Sequence, residues 1–233
     1  MKPQEKVDED IKSIMEEVLN RVCYAKTEMC KDEPMQDNPP LLLIAVESNE
    51  DNPDHDGALE YQKENNLSLP YHIAVVPLIH KENVLEAYDE VVHALPIRPF
   101  SFLLLCVEGY MRDDVSDAEE TEWAGDVNRN RLFEKDYKEN PFSTVREGIV
   151  FTAVDWSGSH IWNVTSLYRY DDKGVPVFDD EPTCTVSEVD ENEEVGGRIP
   201  DHLLATVAYM HLAVNALAYK DLLNEAPKRK TKE

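Results

Sequence analysis

The segment Arg146 to Tyr170 reads REGIVFTAVDWSGSHIWNVTSLYRY. Two runs rich in β-branched and aromatic residues flank Ser157-Gly158-Ser159, a short turn signal, so the pair is expected as a β-hairpin. Asp171-Asp172-Lys173-Gly174 then turns the chain into VPVF, which extends the hairpin to an antiparallel meander. No helical period is evident from Arg146 to Phe178. With helices on either side of it in the sequence, such a meander places the chain in the α+β class. Trp162, Tyr168 and Tyr170 share one face by alternation. Exposed, that face would stack bases; core is the better expectation, because large aromatics are usually buried and the net charge opposes nucleic acid.

Upstream, FSFLLLCVEGYM (Phe100 to Met111) is the most apolar strand of the chain. It follows a helix over Lys81 to Leu95, with Leu85, Tyr88, Val92 and Leu95 on one stripe, and a strand HIAVVPLI (His72 to Ile79). Strand, helix, strand in that order predicts a crossover unit with a parallel pair. Pro77 lacks an amide donor and favours an edge, an end or a bulge. LLLIAVE (Leu41 to Glu47) is apolar without alternation, which fits the middle of a sheet covered on both faces. ALEYQKENN suits a short helix. Pro3 to Lys31 repeats Val7, Ile11, Ile14, Met15, Val18, Leu19 and Val22 at helical intervals. Pro200 to Asn224 is apolar over a wide arc, from Leu203, Leu204 and Val207 to Val214 and Leu217. That last helix is either buried on two sides or shared with a second chain, and a homodimer through residues 200–224 is expected. The whole is read as one α+β domain over residues 1–226: a mixed sheet of five to six strands packed by N-terminal, middle and C-terminal helices. A basic, disordered tail over residues 227–233 completes the chain.

Charge is the other strong signal. The 233 residues carry 48 acids and 23 bases, for a net charge of −25. Glu47 to Glu60 holds six acids, Asp113 to Trp123 six and Asp179 to Glu194 eight, with no Lys or Arg in any of the three. The remaining 192 residues hold 28 acids against 23 bases, an ordinary balance. The acidity therefore belongs to three segments rather than to the domain. It excludes non-specific nucleic-acid binding, which depends on Lys and Arg meeting phosphates, and attraction to anionic membranes. No apolar run reaches the length of a membrane span, and MKPQEKVDED is too polar for a signal peptide, so a cytoplasmic location is expected. Cys23, Cys30, Cys106 and Cys184 form no CxxC pair and read as reduced thiols.

Two carboxylate patterns suggest metal ions. Asn52, Asp54, Asp56 and Gly57 follow the opening spacing of a calcium loop, although position twelve is Lys63 and Pro53 stiffens the second position. Glu47 and Glu108 close apolar strands and, with Glu147 or Asp155 from the meander, could hold magnesium; His72 or His80 nearby would then suit a metal-activated water. The alternative for both is solvated charge. No GxSxG and no phosphate loop occur, so no catalytic residue and no obligatory cofactor are assigned, with Mg or Ca as the alternative. The function expected is a non-enzymatic accessory protein binding a basic protein partner through its acidic loops. Asp113, Asp114, Asp117, Glu119, Glu120, Glu122, Asp190, Glu191, Glu193 and Glu194 are the partner-binding residues. A phage-type or inhibitor protein has this general look. The alternatives are a divalent-metal hydrolase using Glu47, Glu108 and Asp155, and a nucleic-acid mimic, whose twenty clustered acids match the charge of about ten base pairs.

Overall fold

The computed structural model describes residues 4–78, 83–111, 146–179, 181–189 and 198–225. Its elements run α1 (Gln4–Asp32), β1 (Leu41–Glu47), α2 (His55–Glu64), β2 (Tyr71–Pro77), α3 (Val84–Ala94), β3 (Phe102–Met111), β4 (Arg146–Asp155), β5 (His160–Tyr170), β6 (Pro176–Phe178), β7 (Thr183–Glu188) and α4 (Arg198–Glu225). The sheet is ordered β2-β1-β3-β4-β5-β6, and β7 pairs with the first half of β5, beside β6 on the second half. The chain is thus α+β, with helices on both faces of the sheet.

Alternation along the strands decides which side chain meets which helix layer. Leu43, Ala45, Phe102, Leu104, Cys106, Ile149, Phe151, Ala153, Trp162, Val164 and Tyr168 face α1, whose Ile11, Ile14, Met15, Leu19 and Val22 cover them. Leu42, Leu103, Leu105, Val154 and Ile161 face the other way. They pack against Ala87, Tyr88 and Val92 of α3 and Leu203, Val207 and Met210 of α4. β1 and β3 are apolar at nearly every position because both of their faces are covered. Trp162 and Tyr168 are fully buried, so the aromatic face is core.

Every described ladder is antiparallel, which corrects the expected parallel pair. β2 and β3 do run in the same direction, as a crossover through α3 requires, but β1 lies between them and pairs antiparallel with both. A strand apolar on both faces is best buried with neighbours on either side, and β1 takes that slot. The second correction concerns residues 179–194, expected as an acidic loop. Six of them, TCTVSE, form β7.

α4 divides its apolar arc between two environments. Leu203, Val207 and Met210 are core, and His211 stacks on Trp156 at 4.1 Å while its Nε2 lies 2.7 Å from the Trp156 carbonyl oxygen. Further along, Leu212 is 72% exposed and Tyr219 65%. Val207 therefore belongs to the core of this chain rather than to a dimer contact.

The turn between β5 and β6 locks onto the connector after α1. Asp171 Oδ1 accepts from the amides of Lys173 and Val175, and the Gly174 carbonyl accepts from Met35 at 3.0 Å. Gly174 has φ +76°, and a Cβ there would stand 2.7 Å from Pro34 Cβ. Gly174→Ala combines left-handed strain with a clash and is expected to destabilise the protein by about 1–3 kcal/mol. Urea denaturation checks it; an unchanged midpoint would show that the Pro34–Met35 connector gives way freely.

Candidate functional site

The register separates the three carboxylates expected to share a cation. Leu41 faces Cys106 and Ala45 faces Phe102, so Glu47 and Glu108 lie at opposite ends of the sheet. Asp155 faces Phe102 and stands at the Glu47 end, but β3 intervenes, leaving β1 and β4 about 10 Å apart. Glu47, Glu108 and Asp155 therefore do not converge. Antiparallel β1 is the reason: strands that both end in a glutamate bring those ends together only if they are parallel.

Glu108 finds a different cation. By alternation Glu108, Glu147 and Tyr168 project from β3, β4 and β5 onto the α1 face, and Lys26 of α1 comes down among them. The Lys26 ammonium donates to Glu108 Oε2 at 2.8 Å and lies 3.4 Å from Asp37 Oδ1. It also stands 5.1 Å above the Tyr168 ring and 5.5 Å above that of Tyr170. Asn38 donates to both Glu108 oxygens, through its backbone and its side-chain amide, each at 3.1 Å. Tyr168 donates to Glu147 Oε2 at 2.8 Å. The Lys26 side chain is 0% exposed and that of Glu108 11%. Lys26 thus occupies the place of the proposed metal ion. Among the described residues no group of His, Cys, Asp and Glu could hold one.

Burial raises the Glu108 carboxyl above its ordinary range, with the Lys26 and Asn38 bonds working against that rise. Burial likewise raises Glu147, opposed by the Tyr168 hydroxyl and the Lys26 charge. Burial disfavours the charge on Lys26, yet the bond to Glu108 holds its pKa above the ordinary value. The same burial pushes the Cys23 thiol up to about 11 and Cys106 well above its usual value, so neither is a thiolate at neutral pH. This cluster fastens α1 to the sheet and offers no nucleophile.

The calcium-like segment is also built differently. Residues 55–64 are helical and Gly57 lies inside α2, so Asn52, Asp54 and Asp56 cannot wrap an ion as a twelve-residue loop does. Asn52 Oδ1 instead accepts from the Asp54 amide at 3.1 Å. Ser48, 5% exposed, sits between two imidazoles: its Oγ is 3.0 Å from His55 Nδ1 and 2.8 Å from His72 Nε2. One hydroxyl proton cannot serve both rings as donor, so one imidazole must donate to the oxygen. The bridge ties the end of β1 to α2 and β2.

It also frames the open places on this surface. Two apolar grooves flank β2, one on each face of the sheet. The first, about 450 Å³, is lined by Ile44, Ala74, Val76, Phe100 and Met210, with His72, Asn52 and Asp54 among its polar groups. The second, about 460 Å³, is lined by Val18, Val22, Tyr61, Ile73 and Val75, with the paired Glu17 and Arg21 at hand. Both volumes suit ligand or side-chain binding. Only hindsight singles them out in the sequence; the available signal is the charge-free edge strand YHIAVVP beside an acidic segment. The residues expected to bind a partner, Asp113, Asp114, Asp117, Glu119, Glu120, Glu122, Asp190, Glu191, Glu193 and Glu194, lie outside the described residues, as does His80.

Comparison of the chain with family models, with curated proteins and with solved structures gives no match. No helix among the described residues is long and apolar enough to cross a membrane.

Lys26→Met leaves Glu108 buried without its cation, and a loss of about 3–5 kcal/mol is expected in urea denaturation at neutral pH. Glu147 carries a raised pKa, so the folded state binds its proton more tightly than the unfolded chain. Its contribution is most favourable below the ordinary carboxyl pKa and declines as pH rises through the folded value. Glu147→Gln, which can still accept from Tyr168, removes that contribution, so the pH slope of the denaturation midpoint should differ from wild type, with wild type gaining relative to the variant on mild acidification. A slope identical to wild type would remove Glu147 from the account.

Proposed function

We propose that this chain is a non-enzymatic binding protein for a partner of basic character, and that its acidic segments steer the encounter. The observation that carries this reading is the position of Glu47 to Glu60, the one acidic segment that is described throughout. It bridges the end of β1 to α2, and Asn52 and Asp54 from it form part of the wall of the first groove. Charge concentrated beside an apolar surface raises the association rate with an oppositely charged partner, while the apolar contact sets the residence time. A charge meant only for solubility would be spread more evenly.

Affinity capture from native host extract tests the reading. Wild-type chain is expected to retain a basic protein that salt releases, and the variant with Asp51→Asn, Asp54→Asn, Asp56→Asn and Glu60→Gln should lose it. The same set of captured proteins from both would end the proposal.

A homodimer is a second reading, favoured by a particular face of α4. Ala205, Tyr209, Leu212, Ala216 and Tyr219 are all exposed and follow the alternating four- and three-residue spacing of a coiled-coil seam. No acid occurs from His202 to Lys220, in a chain with 48 of them. A neutral apolar seam is the surface on which two such acidic chains could meet. Leu212→Glu with Tyr219→Glu should halve the mass seen by light scattering and leave the circular dichroism unchanged. Val207→Glu should instead unfold the protein, because Val207 is 5% exposed in the core. A wild-type monomer at micromolar concentration would sink the dimer.

A further inference from the structure

β2 is the last strand of its sheet, and its sequence, YHIAVVP, contains no charged residue. Edge strands are normally guarded by lysines, bulges or a covering element, because their free amides and carbonyls can template another strand. Among the described residues the guard is a single proline at the far end. The backbone bonds show which groups turn toward β1 and which away from it. The Ser48 amide donates to the Pro70 carbonyl and the Leu78 amide to the Pro40 carbonyl, and both pairs fall on the β1–β2 register. In an antiparallel ladder bonded pairs alternate, so His72, Ala74 and Val76 direct their peptide groups to β1. The peptide groups of Tyr71, Ile73 and Val75 then point outward, and the missing amide of Pro77 falls on the outer side, where it costs no ladder bond.

The side chains repeat this two-fold pattern across the sheet. Ala74 and Val76 form part of the first groove, Ile73 and Val75 part of the second, and Val75 is 53% exposed. A strand laid against β2 would thus bond to the outward peptide groups and present alternate side chains to two apolar grooves of similar size. The opposite edge is divided between β6, a strand of only three residues reading PVF, and β7. β7 is exposed at five of its six positions and reads TCTVSE, with polar side chains at most of them.

We propose that β2 accepts an extended segment of the partner by strand addition, with apolar side chains of that segment entering both grooves and a lysine or arginine meeting the acidic rim. This rests on the basic-partner reading above and specifies how the partner is held: main-chain bonds supply affinity and the grooves supply specificity. Asp54 and Arg98 give the first groove one charge of each sign, so the field at its mouth comes from the other acids of Glu47 to Glu60. That field selects a basic occupant. It also disfavours a second copy of this chain on the same edge, since each copy brings a net −25.

A phage-displayed library of random dodecapeptides, panned on the full-length protein, tests the proposal. Peptides with several apolar residues and at least one Lys or Arg are expected. A synthetic copy of the best of them should slow amide exchange at Ile73 and Val75 and bind about ten-fold more weakly to Val75→Pro, which removes an outward amide without touching the β1 ladder. Val75→Lys, which places a charge on the same edge, serves if the proline variant does not fold. If basic peptides bind with unchanged exchange at Ile73 and Val75, and equally to the variants, strand addition is wrong and the basic-partner reading stands. If acidic peptides are enriched instead, the basic occupant is wrong. An absence of enriched peptides also overturns strand addition, and capture with the acid-neutralised variant then judges the partner reading separately. A wild-type dimer dissociated by Val75→Pro would assign the edge to a second copy and overturn the proposal.

Discussion

The ammonium of Lys26 is withdrawn from water at the end of the sheet, and four parts of the chain are arranged around it. Glu108 comes from β3, the ring and hydroxyl of Tyr168 from β5, Glu147 from β4, and Asp37 with Asn38 from the connector between α1 and β1. Taking a lysine and a glutamate out of water together costs several kcal/mol per ion, which their attraction offsets only when the remaining polar atoms are also bonded. Asn38 meets that condition for Glu108. The pair consequently fixes where α1 lies, and α1 in turn covers Phe151, Trp162, Val164 and Tyr168.

The other constraint is that β1 and β3 are apolar on both sides. Both must be interior, and β1 is flanked by β2 and β3 in the finished sheet. β2 is left at the margin as a consequence. The surface proposed to bind a partner is thus a by-product of core packing: β2, a strand without Asp, Glu, Lys or Arg, is held at the edge because a still more apolar strand had to be inside. The acidic connector Glu47 to Glu60 leaves from β1, and so it necessarily emerges next to β2. Charge and apolar surface are brought together by connectivity alone.

Much of this architecture was legible from residue pattern. The spacing of Ile11, Met15, Leu19 and Val22 marks α1, the Ser-Gly-Ser turn marks the β4–β5 hairpin, and Pro77, which fits an edge, an end or a bulge, closes the edge strand β2. Lys26 was legible in principle too, because it continues the stripe that runs through Met15, Leu19 and Val22 to Cys30, a position where a charge demands a partner. β7 was not legible. It is an outer strand with little burial, so hydrophobic alternation, the signal by which strands are read, is weak in TCTVSE.

What the sequence determined by itself is local: helix and strand periods, turn residues, and the concentration of twenty of the 48 acids in three segments. These depend on neighbours a few positions away, which is why they can be read along the chain. Strand order and direction are set by long-range packing, and only the tertiary structure decided them. That order parts Glu47 from Glu108, gives Glu108 a lysine as its partner, and leaves the charge-free strand β2 at an edge beside an acidic segment.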